Sequence, residues 1–286
     1  MAVWDSLIRF DAAGGREYWG AFPLEAPLAT GSSVKGYATI DDLESGTGGV
    51  DVTVEKASSS FQLLLAPVPT TGIPIICVGL NYRNHANEAS LPIPATPPMW
   101  YKPAASLADP DTEVPFPVQA QKSFPDFEGE LTIVLRKSMK NVAAADVASH
   151  ILGYTIGNDL TARFLQRSCG GQYTYAKGFD KFAPLGPRLV HPSHITPDAR
   201  GSITTRVNGR TVQNSPFDFI FPVDELLSFL SQGTTLPAGT AILTGTPAGV
   251  GWFQDPKTPL QHGDVVEVEV KPIGVLKTTI VFEKWN

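Results

Sequence analysis

The feature that most constrains the fold is the recurrence of short segments rich in Val, Ile and Thr, separated throughout by Gly and Pro. The 286-residue chain has 26 Gly and 25 Pro, spread between these segments rather than gathered in one linker. Val, Ile and Thr are residues that strands prefer. The sequence therefore predicts a β-dominated α+β fold, with strand candidates LIRFDA, REYWGAF, FQLLLAP, IPIICVGL, ELTIVLR, GSITTRVNG, TAILTG and DVVEVEVKPIGVLKTTIVF.

Helical windows are fewer, and they are RNHANEAS, AAADVASHI and VDELLSFLSQG. The last is predicted to end at Gly233, as a C-cap would. The segment PVPTTGI at 67–73 separates a stretch with a Gly/Ser-rich middle from the stronger apolar segments that follow. We predict a small N-terminal domain at 1–69 and a main domain at 72–286.

Charge and composition exclude several classes of protein. A net charge of −6 and a pI near 5.4 disfavour binding to nucleic acid or to an anionic membrane, which need a basic patch. No run reaches the roughly 18 apolar residues of a membrane helix, and the N-terminus lacks the pattern of a signal peptide. The two cysteines show no metal or disulfide spacing, and Cys77 is expected in a core. We expect a soluble, cytoplasmic protein, with a mitochondrial location left open.

The segment PDFEGELTIVL at 125–135 places two acids in a predicted strand. Alternation puts Glu128 and Glu130 on one face, with Cα atoms about 7 Å apart, and Phe127 and Leu131 on the other. Adjacent carboxylates repel and are costly to bury, and a hard divalent cation such as Mg²⁺ or Ca²⁺ removes both problems. Taken alone, the spacing favours the alternative of an edge strand with both acids in water.

Later segments offer partners for these acids. Asp159 follows the apolar segment ILGYTIGN and could be a third ligand, or the N-cap of a short helix at 160–166. Arg163 could balance charge or grip a substrate carboxylate bidentately. Lys177 precedes a glycine and a Pro-rich turn, where it could stabilise developing negative charge or be a surface lysine.

A fourth segment adds a candidate acid–base pair. His85 and Glu88 are three residues apart in a helical window, so they face the same way and could form an oriented general base, or an ordinary surface contact. The loop in TAILTGTPAGVG at 240–251 can present backbone N–H groups to an anion, but it lacks a P-loop lysine, so nucleotide binding is not predicted.

Seven strings in order resemble the fumarylacetoacetate hydrolase family: ICVGLNYRNHANE, PPMWYKPAASL, PDFEGELTIVL, GYTIGNDLTARFLQ, KGFDKFAPLGP, VNGRTVQ and ILTGTPAGVG. They span about 76–251, the tail extends the match almost to the end, and residues 1–70 look like the variable N-terminal domain of some branches. The resemblance implies a mixed β-sandwich roll, a homodimer, and a bound Mg²⁺ or Mn²⁺, with Ca²⁺ left open.

The resemblance also implies roles by motif position. The implied metal ligands are Glu128, Glu130 and Asp159. The implied catalytic residues are His85 and Glu88, on a short lid helix, and Lys177. The implied substrate contacts are Tyr82, Arg163, Gln166 and Thr246.

The chain departs from the family pattern around the expected pocket. Phe164 stands where an acid is common, and Gly178 replaces Ser or Thr. Residues 214–220 read NSPFDFI, and Trp100-Tyr101 stands where Phe is common. These differences bear on the substrate more than on the metal.

The function implied first is hydrolysis of a C–C bond in an acylpyruvate-like or 1,3-diketo acid through a metal-stabilised enolate. The same site could instead serve an oxaloacetate keto–enol tautomerase or a decarboxylase. A third reading is a non-catalytic, metal-dependent binding protein. In each case the expected ligand is a small anionic 2-oxo or diketo acid.

Overall fold

A computed structural model describes residues 4–12, 15–25, 33–53, 64–69, 71–198 and 200–284. The strands are β1 (Ser6–Ala12), β2 (Arg16–Phe22), β3 (Ser33–Gly36), β4 (Val50–Thr53), β5 (Leu64–Leu65), β6 (Ile75–Val78), β7 (Met99–Lys102), β8 (Leu107–Ala108), β9 (Thr112–Phe116), β10 (Pro125–Asp126), β11 (Gly129–Leu135), β12 (Ile151–Asn158), β13 (Thr161–Ala162), β14 (Ala183–Val190), β15 (Ser202–Val207), β16 (Arg210–Pro216), β17 (Ala241–Leu243), β18 (Val265–Val270) and β19 (Gly274–Phe282). The α-helices are α1 (Ile40–Ser45), α2 (Arg83–Glu88), α3 (Val118–Gln121), α4 (Arg163–Ser168), α5 (Thr174–Lys177) and α6 (Val223–Leu230). The 3-10 helices are Ala104–Ser106, Ala144–His150, Pro192–His194 and Gly251–Phe253.

Two large sheets form the body of the fold. The first has ten strands, in the order β2-β1-β14-β12-β11-β17-β6-β7, with β5 on β1 and β8 on β14. The second has five, in the order β16-β15-β18-β19-β9. One apolar core joins the sheets, containing Leu131 and Ile133 of β11 together with Val266 and Val268 of β18. The prediction of a β-dominated α+β fold is confirmed.

The central strand of the large sheet is buried on both faces. Every residue of β11 is buried. Leu131 and Ile133 contribute to the core between the sheets, whereas Val134 belongs to a second apolar cluster on the opposite face. Cys77 of β6 lies in this second cluster and is fully buried, which confirms its predicted core position.

Three predicted elements differ from the structure. AAADVASHI forms a 3-10 helix rather than an α-helix. Helix α6 ends at Leu230 rather than at Gly233, and beyond its end the side chains of Ser231 and Gln232 both donate to the Ser228 carbonyl of the last turn. In FQLLLAP only Leu64–Leu65 is a strand, and 61–63 lie outside the described residues.

The N-terminal strands join the large sheet, since Leu7 of β1 pairs with Leu189 of β14. The division at 69–72 therefore stays a prediction. Among the described residues, no helix is long and apolar enough to cross a membrane.

Candidate metal centre and active site

Four strand ends meet at one edge of the large sheet. Strands β6 and β17 are parallel, so the loops after Val78 and Leu243 leave the sheet on the same side. Strand β11 runs antiparallel to β17, so it begins at this edge, and β12 ends there. This topology brings together the segments that hold His85, Glu128, Asp159 and the loop at 244–252.

The three predicted carboxylates form one cluster. Ligand oxygens of Glu128, Glu130 and Asp159 lie within 4.8 Å of one another. Glu128 is 5% exposed and the other two are fully buried, so the alternative of solvated acids on an edge strand is wrong. The alternative of Asp159 as a helix N-cap is also wrong, because β13 follows it and Ala162 occupies the N-cap of α4.

Two buried lysines bind these acids. The Lys177 ammonium donates to Glu128 Oε2 and Asp159 Oδ2, both at 2.7 Å, so the alternative of a surface lysine is wrong. The Lys102 Nζ lies 2.5 Å from Asp159 Oδ1 and also donates to the Leu160 and Phe182 carbonyls. Sequence reasoning missed Lys102; the available signal was a lysine beside the aromatic residues of PPMWYKP, a string that carries the family resemblance, because a buried lysine requires a partner.

The charges in this cluster nearly balance. Burial opposes ionisation of Glu128, but the Lys177 ammonium and the Arg163 guanidinium outweigh it and lower its pKa to about 2. Burial, and then the charges of Asp159 and Glu128, raise the pKa of Glu130 well above its usual range. The buried acids are Asp126, Glu128, Glu130 and Asp159, and the buried cations beside them are Lys102, Arg163 and Lys177. With all four acids ionised, one net negative charge is left, which a divalent cation would reverse; protonation of Glu130, which its raised pKa favours, makes the cluster neutral.

One oxygen of Glu130 shows that the cluster fits a cation. Its Oε2 accepts from Gly245 N at 2.6 Å, whereas its buried Oε1 has no hydrogen-bond partner in the described part of the chain. A buried carboxylate oxygen without a partner is costly. Carboxylate oxygens are the ligands that Mg²⁺ and similar hard cations prefer. Glu128, Glu130 and Asp159 could therefore hold a divalent cation here.

Arg163 lies within the cluster and balances its charge. Its Nε donates to Asp126 Oδ2 at 2.7 Å and its Nη1 to Glu128 Oε1 at 2.6 Å. Nη1 also donates to Gln166 Oε1 at 3.2 Å, and Nη2 is buried with no partner among the residues described. A single N–H-bearing nitrogen is thus left for an anion, so a bidentate grip would require the present ion pairs to break. Asp126, which the sequence analysis missed, holds this arginine in place.

The predicted acid–base pair is formed beside the cluster. His85 Nδ1 lies 2.9 Å from Glu88 Oε2, and Glu88 Oε1 accepts from Gly249 N at 2.8 Å. His85 is only 9% exposed, so the alternative of an ordinary surface contact is wrong. Gly249, which binds Glu88, belongs to the same loop as Gly245, which binds Glu130, so this loop holds the pair close to the carboxylates. The pair therefore borders the candidate metal centre.

The loop at 244–252 does present backbone N–H groups to anions, and in the structure these anions are the chain's own carboxylates. Gly245 N donates to Glu130, Gly249 N to Glu88, and Gly251 N to Asp126 at 2.8 Å. This loop thus fixes one ligand candidate, one half of the acid–base pair and the partner of Arg163.

The hydroxyls of two predicted substrate contacts differ in their surroundings. The Thr246 hydroxyl donates to Gly129 O at 2.9 Å and accepts from Gln213 Nε2 at 2.8 Å, so both of its roles are taken. Tyr82 is fully buried against Phe219, and its hydroxyl has no hydrogen-bond partner within the described ranges. Contact of Tyr82 and Thr246 with substrate stays a prediction.

Gly178 has a packing reason, and the unusual residues Trp100 and Phe164 make aromatic contacts. A Cβ on Gly178 would collide with the Thr174 carbonyl oxygen and lie 3.0 Å from Pro103 Cδ. The Trp100 ring lies 4.7 Å from the Lys177 Nζ, a cation–π distance. Phe164 is 52% exposed and forms an aromatic cluster with Phe124 and Trp252.

We expect Gly178→Ser to destabilise the protein by about 1–3 kcal/mol, as overpacking does, and to lower activity because it displaces the adjacent Lys177. Denaturant unfolding measures the first effect. Gly72→Ser is the matched control, since nothing lies within 4 Å of the added Cβ. Equal stability of the two variants would contradict the packing reason.

The chain is similar in sequence and in fold to known proteins. The family described as "Fumarylacetoacetate (FAA) hydrolase C-terminal" matches residues 74–281. The human protein named oxaloacetate tautomerase FAHD2B, mitochondrial, is 39% identical over 248 residues, covering 84% of this chain and 78% of its own.

Two solved structures share the fold over 98% of this chain and 100% of theirs. The 2-hydroxyhepta-2,4-diene-1,7-dioate isomerase of Mycobacterium marinum has a TM-score of 0.77 at 31% identity. The fumarylacetoacetate hydrolase of Exiguobacterium antarcticum has a TM-score of 0.77 at 27% identity. The match to the family covers well over half of the chain, so this chain belongs to the fumarylacetoacetate hydrolase family.

Proposed function

We propose that this protein is a divalent-metal-dependent enzyme that interconverts the keto and enol forms of a small 2-oxo dicarboxylic acid of the oxaloacetate type. The observation that carries the proposal is the His85–Glu88 pair, held by Gly249 beside three buried carboxylates. A proton-transfer group next to a cation site suits a reaction that moves a proton next to a ketone. The names of the human relative and of the Mycobacterium marinum structure favour isomerisation over bond cleavage.

The chain's own residues supply binding and proton transfer. A divalent cation held by Glu128, Glu130 and Asp159 would act as a Lewis acid towards the substrate oxygens. Lys177, and the remaining Nη2 of Arg163, add positive charge for an anionic substrate. In the keto-to-enol direction Glu88, oriented by His85, takes the proton from the carbon next to the ketone and delivers it to the ketone oxygen, so Glu88 ends ionised again and no net proton is gained or lost. Only a proton moves and no bond between carbon atoms breaks, so the reaction needs no nucleophile or activated water beyond this acid–base pair.

Hydrolysis of a C–C bond in an acylpyruvate-like acid is the second candidate. The structural likeness to the Exiguobacterium antarcticum hydrolase favours it. In that reaction Glu88 would take a proton from water rather than from carbon, at the same site. Decarboxylation of a 2-oxo acid at this site would likewise form an enolate, when the bond to the leaving carboxylate breaks. A protein that only binds the acid would have no need of a hydrogen-bonded His85–Glu88 pair.

We expect Glu88→Gln to lower kcat for the enol-to-keto conversion of oxaloacetate by about 10²–10⁴-fold, the usual contribution of general acid–base catalysis. Loss of the enol absorbance measures this rate, and acetylpyruvate tested in parallel measures hydrolysis. Affinity for Mg²⁺ should be retained, because Glu88 is outside the carboxylate cluster. Glu225→Gln, on the exposed first turn of α6, is the control. Full activity of Glu88→Gln would refute its role, and conversion of neither acid by the unaltered protein would refute both functions.

A further inference from the structure

Gln213, on β16 of the five-stranded sheet, reaches across to the candidate metal centre. Its side chain is 1% exposed. Its Oε1 accepts from Gly129 N at 3.1 Å, and its Nε2 donates to Thr246 Oγ1 and to Pro247 O, both at 2.8 Å. Gly129 lies between the two glutamates, and Thr246 and Pro247 belong to the loop at 244–252.

The partners fix which way round this amide lies. The backbone of Gly129 offers a donor and the Pro247 carbonyl an acceptor, so only one orientation of the side chain satisfies both. The Thr246 hydroxyl in turn donates a hydrogen bond to Gly129 O at 2.9 Å, so Gln213, Thr246 and Gly129 form a closed ring of hydrogen bonds. The carbonyl oxygen, both amide hydrogens and the hydroxyl are all used.

The five-stranded sheet lies close against Gly129. A Cβ on Gly129 would collide with Thr205 Oγ1, and it would lie 3.2 Å from Gln213 Oε1. The strand between the glutamates is thus pressed against the five-stranded sheet at this point. From that sheet, Gln213 forms hydrogen bonds to both the strand and the loop.

We infer that Gln213 is a positioning residue that sets the metal ligands and the acid–base pair at the same time. It holds the strand that carries Glu128 and Glu130. It also holds the loop whose Gly245 N binds Glu130 and whose Gly249 N binds Glu88. A change at Gln213 therefore acts on metal binding and on proton transfer together, although the residue belongs neither to the three candidate ligands nor to the acid–base pair.

Amide hydrogen exchange of the metal-free protein tests the connection itself. We expect Gln213→Met to speed exchange in 244–252 and at Gly129 about tenfold, the effect of losing a buried hydrogen bond. Gln213→Glu retains the acceptor for Gly129, so it should speed exchange in 244–252 alone. Gln121→Met is the control, because Gln121 Nε2 likewise donates to two carbonyls, of Phe116 and Glu283, outside this site. Unchanged exchange in 244–252 of Gln213→Met would overturn the inference.

Titration with Mg²⁺ tests the consequence, which rests on the proposed function. We expect Gln213→Met to weaken Mg²⁺ binding about 10–100-fold, as loss of outer partners of a metal site does, and Gln121→Met to leave it unchanged. Even at saturating Mg²⁺, where weaker metal binding no longer limits the rate, the kcat of Gln213→Met should stay below that of the unaltered protein. If the unaltered protein binds no Mg²⁺, the proposed function fails, and the exchange result still decides the role of Gln213. Equal Mg²⁺ affinity of the two variants would overturn the positioning role.

Discussion

Glu130→Gln is expected to weaken Mg²⁺ binding by more than about 100-fold, since removal of a residue that only supports a metal ligand already lowers metal affinity about 10–100-fold. The metal-free variant should be as stable as the unaltered protein, or more stable. Burial and two neighbouring carboxylates disfavour the charged form of Glu130, and the amide can still accept from Gly245 N. Thermal unfolding with and without Mg²⁺ measures both effects.

Glu269→Gln is the control for this change. Glu269 is also a strand acid in an ion pair, with Arg206 at 2.8 Å, but it lies on β18 outside the cluster. This variant should retain its thermal response to Mg²⁺. Its free energy of unfolding should fall by at most about 1 kcal/mol, which is what a partly exposed ion pair contributes. A full Mg²⁺ response of Glu130→Gln would contradict the ligand assignment.

Lys177→Met is expected to have the opposite stability pattern. It leaves Glu128 and Asp159 without their shared ammonium, so the metal-free protein should lose about 3–5 kcal/mol, the effect of breaking a buried ion pair. Added Mg²⁺ should then stabilise this variant more than the unaltered protein, because the cation relieves the same repulsion. Activity should still fall about 10²–10³-fold, as with loss of one group that stabilises an oxyanion.

The surface variant Lys277→Met, on β19, is the control and should match the unaltered protein in stability and activity. Unfolding in denaturant at zero and at saturating Mg²⁺ gives the metal-free stability and the stabilisation by Mg²⁺. The oxaloacetate assay gives the activity. Activity of Lys177→Met near that of the unaltered protein would refute a catalytic role for this lysine.

Local chemistry made most of the fold predictable. The Val- and Ile-rich segments became strands, and RNHANEAS became α2. Strand β14 escaped prediction because APLGPRLV contains two prolines, which central strands normally exclude. The register between β12 and β14 shifts after Tyr154, so Pro187 lies where the ladder is already interrupted.

Spacing along the chain indicated the parts of the site that are close in sequence, whereas Asp159 and Lys177 were placed in it by the family resemblance. Glu128 and Glu130 are visible as a pair, and His85 and Glu88 as another. Lys102 and Gln213 each looked ordinary, since their partners lie far along the chain: Gln213 meets Gly129 across 84 positions. That both faces of β11 are buried depends on its neighbours in the sheet, which the sequence of one strand does not specify.

The central claim is that Glu128, Glu130 and Asp159 together bind a divalent cation. Crystals grown with Mn²⁺ test it most directly, through the anomalous signal of the metal. We predict one peak within about 2.0–2.2 Å of an oxygen of each of the three carboxylates, the distance at which small hard cations bind oxygen. Carboxylates still bound to Lys177 and Lys102, with no peak between them at saturating Mn²⁺, would contradict it.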